Sequence, residues 1–331
     1  MEYRNLGNTG LKVSRICLGT MVYGTDEVDE STSIKIVDKA LDVGINFIDT
    51  ADVYFLGRSE EIVGRALKKK RHSAVLATKV GFPMGPGPMD TGLSRWHIIE
   101  SVEDSLRRLD TDYIDLYYVH GPDYNTPLEE TLRALDDLIH QGKVRYIGCS
   151  NFYAWYFCKA RAASELHNLS RFECIQSPYN LLTRDIEIEL LPYCTSEGLG
   201  VTVYNPLAAG LLSGEYDAKK APPKGSRFSN EGMDIGKLYR DRYWLDYNFE
   251  AVSRLKQIGN GHGRNMVQFS LAWILNNPTI TSILCGITSL EQIDVDVAAI
   301  DLKLSKEELS ACDEVWKQYF RPPRYFYAKV M

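Results

Sequence analysis

The sequence has few of the features that mark membrane, secreted or nucleic-acid-binding proteins. No uninterrupted apolar run approaches the roughly 18 residues of a membrane-spanning helix, and the N-terminal segment has no apolar signal region. The formal net charge of -6 disfavours binding to phosphate backbones or to anionic membranes. We therefore expect a cytoplasmic protein with no nucleic-acid partner and no membrane partner.

Cysteine pairs and a glycine-rich phosphate loop are also missing. The seven cysteines are odd in number, widely spaced and form no Cys-x-x-Cys motif, which argues against a disulfide framework and against a metal centre. We expect them to be reduced and mostly in the core. No Gly-x-Gly-x-x-Gly follows the first apolar run, which disfavours a doubly wound dinucleotide-binding sheet.

The chain does contain a regular alternation of short apolar runs and longer amphipathic stretches, which is typical of a parallel βα architecture. The predicted strands are Ile16–Gly19, Asn46–Asp49, Val75–Lys79, Ile114–His120, Val144–Cys149, Cys174–Gln176, Gly200–Tyr204 and Thr281–Cys285. The predicted helices include Ser31–Val43, Ser59–Lys69, Arg95–Leu109, Pro127–Gln141, Ile186–Glu197 and Gln268–Asn276. This order favours a (β/α)8 TIM barrel, formed as a single domain by residues 1–331.

Three segments fall outside this repeat. Residues 2–14 are predicted to form a β-hairpin that caps the closed end of the barrel. Residues 207–245, after the seventh strand, form a long connection rich in glycine and proline, and a connection of that length is usually functional. Ser305–Tyr319 is predicted as an extra C-terminal helix, with Ser305 as its N-cap and Glu308 three residues later.

Four polar residues lie at or just after predicted strand ends. Asp49 ends one strand and Tyr54 follows it, while Lys79 and His120 end the next two strands. In a barrel these ends meet on one face, where active sites form. A lysine about 4 Å from the phenol would stabilise the phenolate by roughly 4 kcal/mol, or about three pKa units, at an effective dielectric constant of about 20.

Each of these residues also has a structural explanation. Asp49 could cap a short turn, Tyr54 could be an ordinary half-buried aromatic, Lys79 a solvated charge and His120 a turn residue. Their joint occurrence at successive strand ends favours a site in which Tyr54 donates a proton. That site would need a substrate oxygen to receive the proton.

These residues resemble those of the aldo-keto reductase family. The similarity extends over most of the chain, including Gly44–Ala51, Leu106–Tyr117, Gly142–Phe152 and Gln176–Asn180. It implies a (β/α)8 barrel that binds a nicotinamide dinucleotide and transfers hydride to or from a carbonyl carbon. It also implies that Tyr54 is the acid, that Lys79 modifies its pKa with Asp49 as partner, and that His120 orients the carbonyl or assists proton transfer.

The same resemblance implies a set of cofactor contacts. Ser150, Asn151 and Gln176 would bind the nicotinamide carboxamide, and Tyr204 would stack on its ring. The remaining implied contacts are Gly19, Thr20, Met21, Asp49, Asn205, Pro206, Leu207, Ala208, Gly210, Leu211, Arg227, Gly286, Thr288, Ser289, Gln292 and Asp296.

The sequence departs from the family pattern at the adenosine end of this set. Ser289 stands where a basic residue is common, and Val295-Asp296 replaces the usual Glu-Asn pair. These changes weaken recognition of a 2′-phosphate, although Lys224 or Arg227 could supply the missing charge. We expect NADP(H) to be favoured, with NAD(H) as the alternative.

Aromatic residues are expected around the mouth of the pocket. Tyr23, Phe55, Phe82 and Pro83 would line it with Tyr54 and His120, joined by Tyr124 and by 325–327 near the C-terminus. Such walls suit aromatic aldehydes or sugars as the small-molecule carbonyl substrate, and the chain would act as an aldehyde reductase. The alternatives are a regulatory subunit similar to potassium-channel β-subunits, and a keto-sugar reductase or sugar dehydrogenase.

Overall fold

The computed structural model describes residues 1–25, 27–229 and 235–320. Its strands are β1 (Tyr3–Asn5), β2 (Lys12–Ser14), β3 (Ile16–Gly19), β4 (Phe47–Asp49), β5 (Val75–Val80), β6 (Ile114–Val119), β7 (Val144–Ser150), β8 (Cys174–Pro178), β9 (Gly200–Tyr204) and β10 (Ser282–Gly286). Strands β3 to β10 are parallel to their neighbours and form a closed barrel in chain order. The prediction of an eight-stranded (β/α)8 barrel is therefore confirmed.

The helices are α1 (Glu30–Asp42), α2 (Arg58–Leu67), α3 (Arg95–Leu109), α4 (Leu128–His140), α5 (Ala154–His167), α6 (Leu190–Glu197), α7 (Ile235–Tyr243), α8 (Asp246–Gly261), α9 (Met266–Asn276), α10 (Leu290–Ala298) and α11 (Lys306–Phe320). Several of these helices begin at a polar N-cap residue. At the start of α3, for example, the Ser94 hydroxyl accepts a hydrogen bond from the amide of His97. The predicted capping box of α11 is also present, since Ser305 and Glu308 exchange hydrogen bonds of 2.7 and 3.2 Å.

The strands separate two apolar layers, because successive side chains point to opposite faces. Ile16, Leu18 and Ile48 pack outward against the helices. Cys17 and Phe47 point into the barrel, where they join a smaller apolar cluster with other interior residues. The barrel is thus filled with side chains, and its strand ends are the places left for polar chemistry.

The hairpin of β1 and β2 closes the N-terminal end of the barrel, as predicted. Its Leu6 and Val13 are buried in the interior cluster, and the amide of Asn8 donates to the carbonyl of Gly198, 2.8 Å away. Gly7 has φ +59°, and a Cβ there would lie 2.5 Å from the backbone nitrogen of Gly200. Only glycine allows this close approach.

The connection after β9 folds back against the rest of the structure. It begins with a 3-10 helix, Ala208–Ser213, and ends with α7, which the sequence had not predicted. The rings of Tyr216 and Phe228, which lie between these helices, pack with the ring of Trp244 just after α7 at centroid distances of 4.9 to 5.6 Å. This aromatic cluster holds the described part of the connection in place.

Within the described residues, no helix combines the length and apolarity needed to span a bilayer. All seven cysteines are unpaired, and Cys158 is the exposed one. The described ranges also contain no cluster of histidine, cysteine and acidic side chains that could hold a metal ion.

Candidate active site

Asp49, Tyr54 and Lys79 meet at the C-terminal end of the barrel. The Lys79 ammonium donates to a carboxylate oxygen of Asp49, to the carbonyl of Thr50 at 2.8 Å and to the hydroxyl of Tyr54 at 3.2 Å. Asp49 and Lys79 are buried, whereas Tyr54 is half-buried. A salt bridge shielded from water therefore touches a phenol that substrates can reach.

An unusual turn presents Tyr54 to this salt bridge. Phe55, Leu56 and Gly57 follow it with φ values of 50°, 51° and 88°. Left-handed backbone is unfavourable for Phe and Leu, and such strain tends to persist at functional sites. The turn is closed by the amide of Ser59, which donates to the carbonyl of Tyr54 at 3.3 Å.

His120 completes the arrangement one residue beyond β6. Its ring lies 5.8 Å from the Tyr54 ring in an edge-on orientation and 4.4 Å from the Phe82 ring. Its Nδ1 is buried and has no hydrogen-bond partner among the described residues. An unpartnered imidazole nitrogen beside a phenol can bind a polar substrate atom.

Burial and the charge of Lys79 have opposite effects on the pKa of Tyr54 but act in the same direction on the pKa of His120. Burial raises the pKa of Tyr54, and the field of Lys79 opposes this rise without cancelling it. The expected lowering of the Tyr54 pKa by about three units is therefore wrong for the net shift, since desolvation outweighs the cation. Burial and Lys79 both lower the pKa of His120. At neutral pH the phenol is protonated and the imidazole is neutral.

The charge on Lys79 is maintained by its neighbours. Burial by itself lowers the pKa of this ammonium, but Asp49 and Tyr54 together raise the pKa by more than burial lowers it, so the net shift is upward. A buried lysine would otherwise tend to lose its proton. The carboxylate partner thus keeps a cation beside the phenol.

A group of amide and hydroxyl side chains borders the salt bridge. Gln176 donates from Nε2 to Asp49 at 2.9 Å, and Ser150 donates to the carbonyl of Gln176 at 3.0 Å. Asn151 donates to the carbonyl of His120 at 2.9 Å and accepts from the hydroxyl of Tyr204 at 2.8 Å. The structure thus brings Ser150, Asn151, Gln176 and Tyr204 next to the four polar residues.

Comparison with known proteins agrees with this geometry. The model of the aldo/keto reductase family matches residues 15–317. This protein belongs to the aldo/keto reductase family. It is 38% identical to the uncharacterized oxidoreductase YrpG of Bacillus subtilis over 96% of both chains. It is 35% identical to the versiconal hemiacetal acetate reductase of Aspergillus parasiticus, over 95% of this chain and 96% of the relative.

A third relative carries a different kind of name. The chain is 40% identical to the probable voltage-gated potassium channel subunit beta of Arabidopsis thaliana, over 91% of this chain and 92% of the relative. The family is one of oxidoreductases that generally use nicotinamide cofactors. The (β/α)8 barrel without a Rossmann motif is consistent with that membership.

This aldo/keto reductase has residues that fit such a cofactor around the mouth of the barrel. Thr20 is buried and donates to the carbonyl of Asp49 at 3.0 Å, next to Gly19 and Met21 at the end of β3. Asn205 accepts from the amide of Ala209 at 2.7 Å and donates to the hydroxyl of Tyr243 at 2.9 Å. The rest of the predicted set after β9, namely Pro206, Leu207, Ala208, Gly210 and Leu211, follows in the same turn and 3-10 helix.

The adenosine end predicted by the resemblance also forms a compact corner. The Arg227 guanidinium covers Gly286, where an added Cβ would lie 2.5 Å from Nη2. Gln292 accepts from the amide of Thr288 at 2.8 Å, and Ser289 precedes α10. Arg227 thus brings a positive charge to the strand end at which the predicted adenosine segment begins.

Asp296 differs from an ordinary surface carboxylate at this corner. It is buried and interacts with the thiol of Cys285. Burial raises the pKa of Asp296 to about 7. Because it is partly protonated near neutral pH, it repels a phosphate less than an exposed aspartate would.

Tyr23 does not occupy the predicted rim of the pocket. It is fully buried in the core, because the turn closed by the hydrogen bond from its amide to the carbonyl of Thr20 directs the ring inward. Phe55 is half-buried and Phe82 is exposed beside His120. The predicted contribution of residues 325–327 lies outside the described residues.

Sequence reasoning missed a second buried polar cluster behind Lys79. Glu60 is buried and accepts from Thr78 at 2.6 Å and from Arg108 at 2.6 Å. Asp52 is also buried, and its backbone amide donates to the carbonyl of Lys79 at 3.3 Å. The only hint in the sequence was that acidic residues recur in the segment around Tyr54.

Proposed function

We propose that this protein reduces aldehyde or ketone carbonyls to alcohols, with Tyr54 as the general acid and a nicotinamide dinucleotide as the hydride donor. The observation that supports this most is the Tyr54 hydroxyl 3.2 Å from a buried lysine that is itself paired with Asp49. The carbonyl carbon would receive the hydride, and the carbonyl oxygen would take the phenol proton. The products are an alcohol and the oxidised cofactor.

The protein residues would divide the proton chemistry between them. Tyr54 is protonated at neutral pH and can donate. The phenolate that remains would lie 3.2 Å from the Lys79 ammonium, an attraction of roughly 5 kcal/mol at an effective dielectric constant of about 20. Neutral His120 would donate a hydrogen bond to the carbonyl oxygen and orient it.

Replacing Tyr54 tests this proposal directly. Tyr54→Phe keeps the ring but removes the proton donor, so carbonyl reduction should fall by about 100-fold or more. The dissociation constant of the reduced cofactor, measured by fluorescence titration, should stay near that of the unmodified protein. Full reductase activity in this variant would rule out Tyr54 as the acid.

We propose NADP(H) as the preferred cofactor and NAD(H) as the weaker one. Asn151 and Gln176 would hold the carboxamide, Tyr204 would face the ring, and Arg227 beside Gly286 would bind the 2′-phosphate. Arg227→Ala should then weaken NADPH binding by about 10- to 100-fold and leave NADH binding unchanged. Lys219→Ala, at an exposed position in the same connection, is the matched control, and a selective loss of NADPH binding in Lys224→Ala instead would assign the charge to Lys224. Equal loss for both cofactors would remove Arg227 from this role.

A regulatory subunit is the second candidate function. It is favoured by the 40% identity to the Arabidopsis protein named as a potassium channel β-subunit. Rapid steady-state turnover with a panel of aldehydes and sugars would support the enzyme. Tight cofactor binding with negligible turnover across the panel would favour regulation. The same panel separates an aldehyde reductase from a keto-sugar reductase or sugar dehydrogenase.

A further inference from the structure

Two large aromatic side chains are exposed on the segments that follow His120 and Asn151. Tyr124 and Trp155 are 59% and 58% exposed, and their rings are parallel within 8° at a centroid distance of 6.4 Å. The buried Tyr156 packs beneath both, 5.1 Å from each ring and tilted by about 60°. We call these three residues the aromatic shelf.

The aromatic shelf is tied to the loops that carry the site. Tyr124 follows His120 by four residues, and Trp155 follows Asn151 by four residues. Each shelf ring therefore starts within roughly 14 Å of a site residue, since a residue spans at most about 3.6 Å. The side chain of Asn151 also bonds the carbonyl of His120 at 2.9 Å, which links the two loops at their bases.

The loop that carries Tyr124 is held in place by Asp123. This carboxylate accepts hydrogen bonds from the amides of Leu93 and Asn125, both at 2.8 Å, and from the hydroxyl of Thr126 at 2.7 Å. The hydroxyl of Tyr156 donates to the carbonyl of Asp123 at 3.3 Å. The aromatic shelf is thus built on a fixed support and holds two exposed rings in a defined orientation.

We propose that the aromatic shelf binds the distal ring of an extended carbonyl substrate, namely an uncharged compound with a second planar aromatic ring several bonds from its carbonyl. The inference rests on the proposed reductase function and names a substrate class for it. Aromatic rings attract one another in offset-stacked and edge-to-face arrangements, and a saturated ring of similar size does not gain this attraction. The continuity of the shelf with the loops of His120 and Asn151 favours a substrate over an unrelated partner.

The electrostatic surroundings agree with an uncharged ligand. Asp123 and Glu129 both act on the hydroxyl of Tyr156, so the local field is negative. A substrate with a carboxylate on its distal ring would be repelled there. An aromatic ring without such a group gains free energy when it leaves water.

Three aldehydes and three variants test the proposal. Benzaldehyde is short, 4-benzyloxybenzaldehyde carries a second flat ring, and 4-(cyclohexylmethoxy)benzaldehyde has a similar length without a flat ring. Tyr124→Ala and Trp155→Ala should each lower kcat/KM for the benzyloxy compound by about three- to tenfold, mainly through KM. Trp155→Ala should leave the kcat/KM for benzaldehyde unchanged, and Tyr124→Ala should lower it by a smaller factor than for the benzyloxy compound. Tyr3→Ala, at the closed end of the barrel, is the exposed aromatic control.

The outcomes separate this inference from the proposed function. If the unmodified protein reduces benzaldehyde but the shelf variants treat all three aldehydes alike, the inference is wrong and the reductase function stands. If no aldehyde is reduced at all, the reductase function itself fails. If the shelf variants lose activity selectively on a sugar aldehyde from the panel above, the shelf binds a sugar and the proposal is overturned. If they change the oligomeric mass without changing the kinetics, the shelf contacts a second protein chain and the proposal is likewise overturned.

Discussion

Replacing Asp52 with asparagine should make this protein more stable, by an amount that grows with pH. Asp52 is fully buried, and its Oδ1 accepts from the amide of Val53 at 2.6 Å. Its Oδ2 has no hydrogen-bond partner among the described residues. Burial and then the nearby Glu60 raise the pKa of Asp52 from 3.8 to about 8. The folded protein therefore resists the ionisation that water allows in the unfolded chain.

The size of the effect follows from that difference in pKa. Each pKa unit corresponds to about 1.4 kcal/mol, so a rise of about four units costs the folded state roughly 5 to 6 kcal/mol once the pH exceeds 8. Because the pKa of Asp52 is raised in the folded state, this carboxyl does not lower the free energy of unfolding below about pH 4. The free energy of unfolding then falls as the pH rises, until about pH 8. At pH 7 the loss is roughly 4 kcal/mol.

Asparagine has nearly the same shape as aspartate but cannot ionise. The free energy of unfolding of Asp52→Asn should match that of the unmodified protein near pH 4 and exceed it by several kcal/mol at pH 8. Urea unfolding between pH 4 and 9 measures the difference, and melting temperatures provide a second readout. Asp301→Asn, at an exposed position, is the control and should show little pH dependence.

Two results would refute the reasoning. A stability difference that does not change between pH 5 and 9 would mean that Asp52 ionises as easily in the folded protein as in water. A variant that becomes progressively less stable than the unmodified protein as the pH rises would mean that the ionised carboxylate is stabilised. In that case Asp52 would have a polar partner that offsets its burial.

Three further predictions concern the same end of the barrel. Lys79→Met should lower carbonyl reduction by about 100-fold or more, measured as turnover, and should lower the free energy of unfolding because Asp49 loses its buried partner. The double variant Lys79→Met/Asp49→Asn should regain stability in an unfolding assay but not activity. Alcohol oxidation requires Tyr54 without its proton, so its kcat/KM should rise steadily above neutral pH while that of reduction stays flat; an oxidation maximum at pH 7 would contradict this. Arg108→Met should lower the free energy of unfolding by about 3 to 5 kcal/mol, because Glu60 would lose its buried cationic partner, and an unchanged urea midpoint would argue against that pairing.

The strand pattern could be predicted because each barrel strand is a compact apolar run. All eight predicted strands overlap observed strands, and their ends agree to within about two residues. The extra helix was also predictable, since Ser305 and Glu308 form a local capping signal. Helix α5 was missed because its apolar residues are not confined to its buried stripe, since Trp155 and Leu166 are exposed.

The gathering of Asp49, Lys79 and His120 was predictable for a topological reason. Parallel strands in a barrel all end on one face, so residues at their ends must approach one another. The direction of the Tyr54 ring and its net pKa were not predictable in this way, because they depend on how deeply the ring is buried. The inward position of the Tyr23 ring was also not predictable, because it depends on the turn between Thr20 and Tyr23, and the sequence pattern around Tyr23 does not indicate that turn.

The position of Lys79 links the protonation states of the two rings. Its positive charge lowers the pKa of Tyr54 against the effect of burial, and it lowers the pKa of His120 together with burial. One cation thus makes the phenol a better acid and keeps the imidazole neutral, so that both can act as hydrogen-bond donors to a carbonyl oxygen at the same pH. Removing Lys79 should raise both pKa values. Because both effects come from the charge on Lys79, mutating Lys79 alone cannot separate the effect on Tyr54 from the effect on His120. The buried Asp49 carboxylate raises the pKa of Lys79 and so keeps this lysine charged.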